Sequence, residues 1–355
     1  MSRRGYFCLM ESNEKKLTPI SQLGEFGLIK RIAAGFRHRQ PSTLLGIGDD
    51  AAIIATDGSY KLWSMDLLVE NIHFDLVYTP LRHLGYKSVI VNLSDICAMN
   101  GHPQQIMMGL ALSSRFTVEA IDEFYAGVEQ ACRHYAVDLV GGDTTSSQQG
   151  IFISVSVLGE VAKGGAVGRG GARVGDLICT TGDLGGAYMG LQILEREKSV
   201  YADVPDLKPE LEQYAHILAR LLKPEARQDI ITLFESMEAV PTAMMDISDG
   251  LSSELFHICE ASGCGAIIYE DQLPLHSETR STAAEFSIAP AICALNGGED
   301  YELLFTISEK EYEKIDGLKD ITIIGEITKA ASGIKIETDS GQQFDLKAQG
   351  WNALQ

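Results

Sequence analysis

The sequence predicts a two-domain protein of mixed α/β structure. Its 355 residues are enough for two domains of ordinary size. Segments with helical apolar spacing alternate with short strand-like apolar runs in both halves of the chain. The densest glycine segment, residues 163–171, lies near the middle and precedes a new strand-like run. We therefore expect an N-terminal extension over 1–20, a first domain over 21–164 and a second domain over 165–355.

The first domain shows both periodicities in turn. The apolar spacing from Phe26 to Phe36 predicts a helix with Ser21 as its N-cap. The spacing from Ile121 to Cys132 predicts a second helix with an inward apolar side. This second helix is expected over 117–135. The other predicted elements of the domain are a strand over 61–65 that runs into Asp66, a helix over 84–99, and strands over 105–112, 139–140 and 151–161.

The second domain repeats this mixture of elements. Short apolar runs predict its strands, and longer stretches with a helical period predict its helices. The expected strands are 177–180, 243–245, 266–269, 303–306 and 321–327, and the expected helices are 185–195, 210–222 and 251–262.

The charge and cysteine content narrow the classes of partner and compartment. With 29 Lys and Arg against 49 Asp and Glu, the chain has a net charge of −20. Such a chain repels nucleic-acid backbones and anionic lipids, so we expect neither nucleic acid nor a membrane as partner. No apolar run approaches the ~18–20 residues of a membrane span, and the first residues lack the apolar core of a signal peptide. Seven cysteines without a Cys-x-x-Cys pair indicate reduced thiols and a cytoplasmic location.

Five aspartate-bearing segments end or interrupt apolar runs. They are GIGDDAA (46–52), SMD (64–66), NLSD (92–95), GGDTT (141–145) and DISDG (246–250). Taken singly, an aspartate beside glycine is typical of a turn, and 246–249 could cap a helix that begins at Leu251. Taken together, half-buried carboxylates with few cations nearby need a metal, and carboxylate, hydroxyl and carbonyl oxygens are the ligands that Mg²⁺ takes beside substrate phosphates. We therefore predict a Mg²⁺ site that serves an anionic, phosphate-bearing substrate.

Other phosphate-binding and nucleophile motifs are missing from the sequence. No G-x-x-x-x-G-K-[ST] segment is present, which excludes a P-loop. GIGDDA fits the dinucleotide pattern G-x-G-x-x-[GA] formally, but two aspartates would then face the pyrophosphate. The histidines lack zinc spacing, and there is no G-x-S-x-G elbow. We therefore expect no covalent catalytic nucleophile.

Seven motifs together resemble the thiamine-monophosphate kinases, members of the aminoimidazole ribonucleotide synthetase-like superfamily. The motifs are GIGDDAA (46–52), SMD with VENIHF (64–74), KSVIVNLSDICAMNGHP (87–103), GGDTT (141–145), GRGGARVGD (168–176), DISDGL (246–251) and GGEDYELLF (297–305). VENIHF and GGEDYELLF point to the thiamine branch. The resemblance runs from about Gly24 to Trp351. It implies the two-domain α/β (α+β) fold of that superfamily and a homodimer that pairs the sheets of two first domains.

The resemblance also implies a reaction, in which ATP donates its γ-phosphoryl group to thiamine monophosphate to give thiamine diphosphate and ADP, with several Mg²⁺ ions. The acceptor phosphate has a second pKa near ~6, so it is largely ionised at neutral pH and needs no dedicated base. The site must then supply in-line positioning and charge neutralisation. Two alternatives stay open: a superfamily enzyme that uses ATP to activate an amide-type carbonyl oxygen, and a calcium-binding scaffold, for which no D-x-[DN]-x-[DN]-G loop is present.

Site residues follow from the same resemblance. The implied metal ligands are Asp50, Ser64, Met65, Asp66, Asp95, Asp143, Asp246 and Asp249. The implied ATP contacts are Tyr125, Gly142, Arg169 and Ser248, and the implied thiamine monophosphate contacts are His73, Glu299 and Trp351. Met65 stands where the family usually has threonine, so it could take part only through its carbonyl oxygen.

Several of these residues also have plainer interpretations. On sequence alone, Arg169 is equally well a solvated charge, and Tyr125 has the spacing of a packing residue. His73 is by default a half-buried histidine with a hydrogen-bond partner, and Glu299 is by default a turn residue. Trp351 would ordinarily anchor the C-terminal tail, whereas stacking on the thiamine rings is the sharper alternative.

Overall fold

The computed structural model describes residues 22–203 and 210–347, and it confirms the mixed α/β class. The helices are α1 (Gly24–Ala33), α2 (Leu81–Ala98), α3 (Val118–Tyr135), α4 (Gly186–Asp203), α5 (Ala215–Leu222), α6 (Gln228–Met237), α7 (Leu251–Ser262), α8 (Ser277–Glu285), α9 (Pro290–Asn296) and α10 (Glu309–Tyr312). The strands are β1 (Thr43–Leu45), β2 (Ala52–Ala55), β3 (Ser59–Val69), β4 (His102–Leu112), β5 (Asp138–Ser146), β6 (Ile151–Ala162), β7 (Leu177–Thr181), β8 (Ala243–Asp246), β9 (Gly265–Tyr269), β10 (Leu303–Ile307), β11 (Ile321–Thr328), β12 (Ile334–Glu337) and β13 (Gln343–Asp345). In the described ranges, no helix has both the length and the apolar character needed to cross a membrane.

The first half of the described chain builds a six-stranded sheet in the order β1-β2-β3-β6-β4-β5. Neighbouring strands are antiparallel except β4 and β5, which run parallel. Along β6, Ile151, Ile153, Val155 and Val157 are buried and alternate with partly exposed residues. This alternation is that of a sheet with one covered face, and α2 packs on that face against β3, β4 and β6.

The opposite face of this sheet is apolar and exposed. Trp63, Met65 and Leu67 on β3 and Met107 on β4 each expose more than half of their surface. Met65 and Met107 lie in one row across the sheet, since both align with Ser156 of β6. We call Trp63, Met65, Leu67 and Met107 the apolar outer face.

Helices α2 and α3 cross at two glycines. A Cβ on Gly127 would overlap the carbonyl oxygen of Arg82, and a Cβ on Gly85 would overlap that of Phe124. The two helix backbones therefore touch with no side chain between them. This close packing leaves most residues of α2 buried, including polar ones that need partners.

The second half of the described chain builds a seven-stranded sheet in the order β13-β12-β9-β11-β7-β10-β8. Strands β9 and β12 are parallel, and the other neighbours are antiparallel. Strand β8 forms the edge that contacts α2, and α5 and α6 contact α2 as well. One buried helix therefore touches both sheets and joins the two halves.

Some element ends differ from the sequence predictions. Helix α1 ends at Ala33, so Phe36 lies beyond it, and Leu23 occupies the N-cap position. Ser21, predicted as that cap, and the predicted 1–20 extension lie outside the described residues. The helix expected over 210–222 is a short 3₁₀ turn, Glu212–Tyr214, followed by α5.

The sequence patterns do not predict β1, β2, α6, α8, α9, α10, β12 or β13. Helix α8 has the sequence SETRSTAAE, which carries no apolar stripe of helical period. Helix α9 is 7 residues long, too short for a period to show. Packing, and not local pattern, therefore determines both helices.

We expect Gly127→Ala to destabilise the protein by about 1–3 kcal/mol or more, because the new methyl group would have to displace the α2 backbone. Gly58→Ala, in the turn between β2 and β3, is the matched control, since no heavy atom lies within 4 Å of where its Cβ would be. Urea unfolding monitored by circular dichroism measures both variants. A Gly127→Ala midpoint equal to that of the wild type would contradict the close helix crossing.

Candidate active site

The polar residues on the buried face of α2 organise a group of carboxylates. Ser94 Oγ donates to Asp246 Oδ2 at 2.6 Å, which ties the end of β8 to the helix. The side-chain oxygen of Asn92 accepts from the backbone N–H of Asp66 on β3 at 2.9 Å. Ser64 Oγ donates to Asp95 Oδ2. Asn92, Ser94 and Asp95 of the helix thus each pair with a predicted site residue or with its backbone.

Three aspartates from three distant segments meet at this point. Oxygens of Asp50, Asp95 and Asp246 all lie within 4.8 Å of one another, and we call these residues the acidic trio. Asp50 Oδ2 is buried and has no hydrogen-bond partner among the described residues. An unpartnered buried carboxylate oxygen beside two further carboxylates fits a divalent cation that takes oxygen ligands.

Burial raises the pKa of the carboxyl groups in this region. The pKa of Asp50 rises to about 7 because of burial, although Arg169 opposes this shift and the negative charge of Asp246 adds to it. Burial and the charges of Asp66 and Asp246 raise the pKa of Asp95 well above its ordinary value. The site therefore favours either protons or a cation at neutral pH.

Two further aspartates flank the acidic trio. Burial, Asp246 and Glu25 raise the pKa of Asp66 to about 7. Burial, followed by the charges of Glu25 and Asp246, raises the pKa of Asp249 to about 6. Predicted metal ligands from the SMD, NLSD and DISDG segments are thus brought together in space.

Arg169 pairs directly with the GIGDDAA segment. Its Nε and Nη2 donate to Asp50 Oδ1, with Nε at 3.0 Å, and its backbone N–H donates to Asp49 Oδ2 at 3.2 Å. A Cβ on Gly168 would overlap the Asp49 carboxylate, so a larger residue here would displace that side chain. The expectation that few cations lie near the acidic motifs is therefore wrong for Asp50. Arg169 and Asp50 are far apart in the sequence, so no local sequence pattern reveals this pair.

The DISDGL loop is shaped by a residue that the sequence analysis missed. Glu254 on the first turn of α7 accepts from the backbone N–H of Asp249 at 2.8 Å and of Ser248 at 3.3 Å. Gly250 occupies the N-cap position of α7, so Asp246 and Asp249 do not cap this helix. The plain N-cap interpretation of this motif is therefore wrong. The available sequence signal is the position of Glu254, three residues after Leu251, where the predicted helix begins.

A cavity of about 610 Å³ opens beside the acidic trio. It is lined by residues of both halves of the chain, including Asp66, His73, Lys87, Ser248 and Glu299. The other lining residues relevant to charge and shape are Glu25, Phe74, Tyr78, Val91, Asp95, Tyr188, Leu191, Glu195, Lys198, Leu221, Asp246, Asp249 and Tyr301. The cavity is therefore acidic at the trio, mixed in charge at its far end and partly apolar in its walls.

His73 and Glu299 lie in this cavity, as the resemblance implies for substrate contacts. His73 Nδ1 accepts from the backbone N–H of Val69 at 3.0 Å, and burial lowers the pKa of this imidazole. Glu299 forms an ion pair with the buried Lys87 at 2.9 Å. The backbone of Glu299 has a left-handed φ of 58°, and its carboxylate lines the cavity.

The segment that carries Glu299 is held by a buried ionic network that the sequence analysis did not predict. Asp300 accepts from the backbone N–H of Gly185 at 3.0 Å through either oxygen. Glu302 pairs with Arg220 at 2.9 Å and Arg227 at 2.6 Å. Three acidic residues of GGEDYELLF thus divide their roles: Glu299 lines the cavity, Asp300 fastens the backbone at Gly185, and Glu302 pairs with two arginines.

Other predicted site residues lie away from the acidic trio within this chain. Met65 points to the apolar outer face, opposite to Ser64 and Asp66. Gly142 and Asp143 lie on β5, the exposed edge strand of the first sheet. Tyr125 packs edge-on against Phe124 at 5.5 Å between ring centroids, and it is not among the cavity-lining residues. Trp351 lies outside the described residues.

Comparisons with known proteins cover nearly the whole chain. Models of the AIR synthase related proteins match residues 48–161 as the N-terminal domain and 173–336 as the C-terminal domain. The thiamine-monophosphate kinase of Bacillus subtilis (strain 168) is 34% identical over 93% of this chain and 99% of its own length. That of Aquifex aeolicus (strain VF5) is 34% identical over 92% and 99%. A solved structure, AaThiL complexed with AMPPCP and TMP, has a TM-score of 0.82 at 31% identity, covering 95% of this chain and 99% of that chain.

We expect the metal-free protein to lose stability as the pH rises from about 4 to about 7. In this window the folded state retains protons on carboxyls such as Asp66, whose folded pKa is about 7, while the unfolded chain has released them. Asp66→Asn should therefore gain stability over the wild type at pH 8 relative to pH 5, by on the order of 2 kcal/mol. Urea unfolding in a chelator at both pH values measures this difference. The same pH dependence in both proteins would contradict the assignment.

Proposed function

Because this chain belongs to the thiamine-monophosphate kinase family, we propose that its site transfers the γ-phosphoryl group of ATP directly to the phosphate of thiamine monophosphate. The two-domain superfamily fold expected from the resemblance is confirmed. Both substrates are supported by the related structure that contains AMPPCP and TMP. Within this chain, one observation carries the proposal: two members of the acidic trio, Asp95 and Asp246, line the same cavity as His73 and Glu299.

We propose that the acidic trio is the centre of a Mg²⁺ site. Asp50, Asp95 and Asp246 would hold the cation, and their paired donors Arg169 and Ser94 keep them in place. The flanking oxygens of Ser64, Asp66 and Asp249 would complete the set, with Met65 limited to its backbone carbonyl because its side chain faces away. Bound Mg²⁺ would neutralise charge on the transferred phosphoryl group.

The remaining cavity fits the acceptor. Thiamine monophosphate carries a dianionic phosphate at one end and a cationic thiazolium and an aminopyrimidine toward the other. The phosphate end matches the metal side of the cavity, and the ring end matches His73, Glu299 and the apolar walls. Since the phosphate oxygen is already ionised, the chain needs to orient it and not to deprotonate it.

On the donor side, we assign Arg169 and Ser248 to ATP. A guanidinium has five N–H donors, and those on Nε and Nη2 contact Asp50, which leaves Nη1 for a phosphate oxygen. Ser248 lines the cavity next to Asp249, at the start of the α7 segment. Tyr125 remains a proposed contact to the nucleotide, and Trp351 a proposed contact to thiamine.

We also propose a homodimer that joins the apolar outer faces of two first sheets. Trp63, Met65, Leu67 and Met107 are more than half exposed, and a contiguous exposed apolar patch of this kind marks an interaction surface. If the two-fold axis lies between the two sheets and parallel to their strands, the sheets stack face to face. The strand order of one sheet then runs opposite to that of the other. Strand β5 of one subunit would then lie over the β1–β2 edge of the other, near Asp50.

This arrangement explains the position of Asp143. In strand register Asp143 aligns with Gly109, Ser154 and Leu67, which places it on the outer side of the sheet. Its strand is three positions from β3, roughly 14 Å at ordinary strand spacing. We therefore propose that Gly142 and Asp143 complete the site of the partner subunit.

The free, mostly buried cysteines of the described chain fit the proposed cytoplasmic location.

We expect Asp66→Asn to lower kcat roughly 100-fold or more with the fold retained, because a neutral amide cannot balance a divalent cation beside a triphosphate. Asp57→Asn, in the exposed turn between β2 and β3, is the control and should keep wild-type activity. Formation of ADP that depends on both thiamine monophosphate and Mg²⁺ is the assay. Full activity of Asp66→Asn, or activity in the absence of any divalent cation, would contradict the metal site.

Heterodimers test whether Asp143 acts across the interface. We expect homodimers of Asp66→Asn and of Asp143→Asn each to be inactive. A heterodimer that combines them, isolated through two different tags, should regain about half of the wild-type activity, because one of its two sites carries neither substitution. An inactive heterodimer would place Asp143 and Asp66 in the same subunit's site.

A further inference from the structure

A buried lysine in the cavity is used by none of the steps above. Lys87 on α2 has only 4% of its side chain exposed, yet it lines the cavity with Glu299 and His73. We propose that Lys87 is a positioning residue that holds the Glu299 carboxylate in place to recognise the ring end of the acceptor. This inference rests on the proposed function and adds a residue to it.

The geometry of α2 places Lys87 far from the phosphates. Lys87, Val91 and Asp95 line the cavity at helical spacings of four residues, so they form one row along the helix. Eight residues of α-helix span about 12 Å, and long side chains lean toward the helix N-terminus, away from Asp95. Lys87 therefore serves the end of the cavity opposite to the acidic trio, where the rings of the acceptor would lie.

The ammonium group of Lys87 is fixed by two contacts. It donates to the backbone carbonyl oxygen of Leu221 at 3.1 Å and pairs with Glu299 Oε1 at 2.9 Å. Its helix cannot shift easily, since α2 is locked against α3 at the glycine crossing. The ammonium group of Lys87 is thus held in one position in the cavity wall.

Glu299, in contrast, depends on Lys87 for its orientation. Among the described residues, the ion pair with Lys87 is the one polar contact of its carboxylate, whose side chain is 31% exposed. Its backbone is well held, because its N–H donates to the carbonyl oxygen of Ser248 at 2.7 Å and its φ of 58° lies in the left-handed region. The pair thus leaves Oε2 without a partner among the described residues, and we expect removal of Lys87 to free the rotation of the side chain.

The chemistry of the ring end matches one fixed carboxylate oxygen. The aminopyrimidine offers N–H donors, and the thiazolium is cationic, so an oriented carboxylate can accept a charge-assisted hydrogen bond from the first or lie beside the second. Two roles for Lys87 make opposite predictions. If Lys87 only offset the charge of Glu299, its loss would leave a more negative cavity, and this cavity would bind the cationic acceptor more tightly. If it positions Glu299, its loss weakens binding.

The experiment is a double-mutant cycle on the full chain, in which KM for each substrate and kcat are measured for Lys87→Met, Glu299→Gln and the double variant. We expect Lys87→Met to raise KM for thiamine monophosphate about tenfold, with KM for ATP within about twofold of the wild type. In the Glu299→Gln background, Lys87→Met should change KM for thiamine monophosphate by less than about twofold, because the residue it positions is already altered.

The control is Lys314→Met, which removes an ammonium with the same kinds of partner, a carboxylate of Glu311 at 2.7 Å and the backbone oxygen of Glu238, outside the cavity. It should leave both KM values unchanged, and thermal melting shows which variants are folded. An unchanged or lower KM for thiamine monophosphate in Lys87→Met, equal rises for both substrates, or additive effects with Glu299→Gln would each overturn the proposal. If the wild type itself fails to turn over thiamine monophosphate, the proposed function fails, which is a distinct result from a failure in the variants alone.

Discussion

Mutual repulsion among buried carboxylates is the constraint around which this structure is organised. Oxygens of Asp50, Asp95 and Asp246 approach within 4.8 Å, where like charges in a poorly solvated place oppose one another strongly. The chain balances this by giving each carboxylate a donor of its own: Arg169, Ser64 and Ser94 respectively. Only one of these donors is charged, so the fully ionised group would have a net negative charge, which favours binding of protons or a cation.

The same constraint couples the site to the assembly of the two halves. Asp95 and its helix belong to the first sheet, Asp246 ends a strand of the second, and Arg169 lies in the glycine-rich connection between them. The buried face of α2 contacts both sheets, accepting hydrogen bonds from β3 through Asn92 and Asp95 and donating one to Asp246 through Ser94. Neither half of the chain therefore contains the complete site. The packing of α2 against both sheets brings the carboxylates of the site together.

Sequence patterns predict the parts of this molecule whose causes are local. The period of β3, α2 and α3 and the aspartates that follow apolar runs can be read residue by residue, and these elements are confirmed. The pairing of Arg169 with Asp50 joins residues far apart in the chain, so no local pattern contains it. Lys87 gives a weak signal, namely the one charged residue between Leu84 and Ser94 of a helix rich in apolar residues.

The side of the sheet on which a residue lies is a second property that motif matching does not supply. Met65 and Asp143 belong to motifs of the family, yet strand alternation and register put both on the outer side. Their neighbours Ser64 and Asp66 face inward to α2. A motif therefore identifies a segment, whereas the pleat of the strand decides which surface each of its side chains can serve.

Alternate residues of strand β3 serve two different surfaces of the sheet. Its even-numbered residues Ser64 and Asp66 supply the acidic site, and its odd-numbered residues Trp63, Met65 and Leu67 supply the apolar outer face. Insertion or deletion of a single residue in this strand would exchange the two sets, burying apolar side chains against the carboxylates and exposing Asp66 on the outer side. Length changes here should therefore be eliminated by selection much more strictly than substitutions, since one slip damages two surfaces at once.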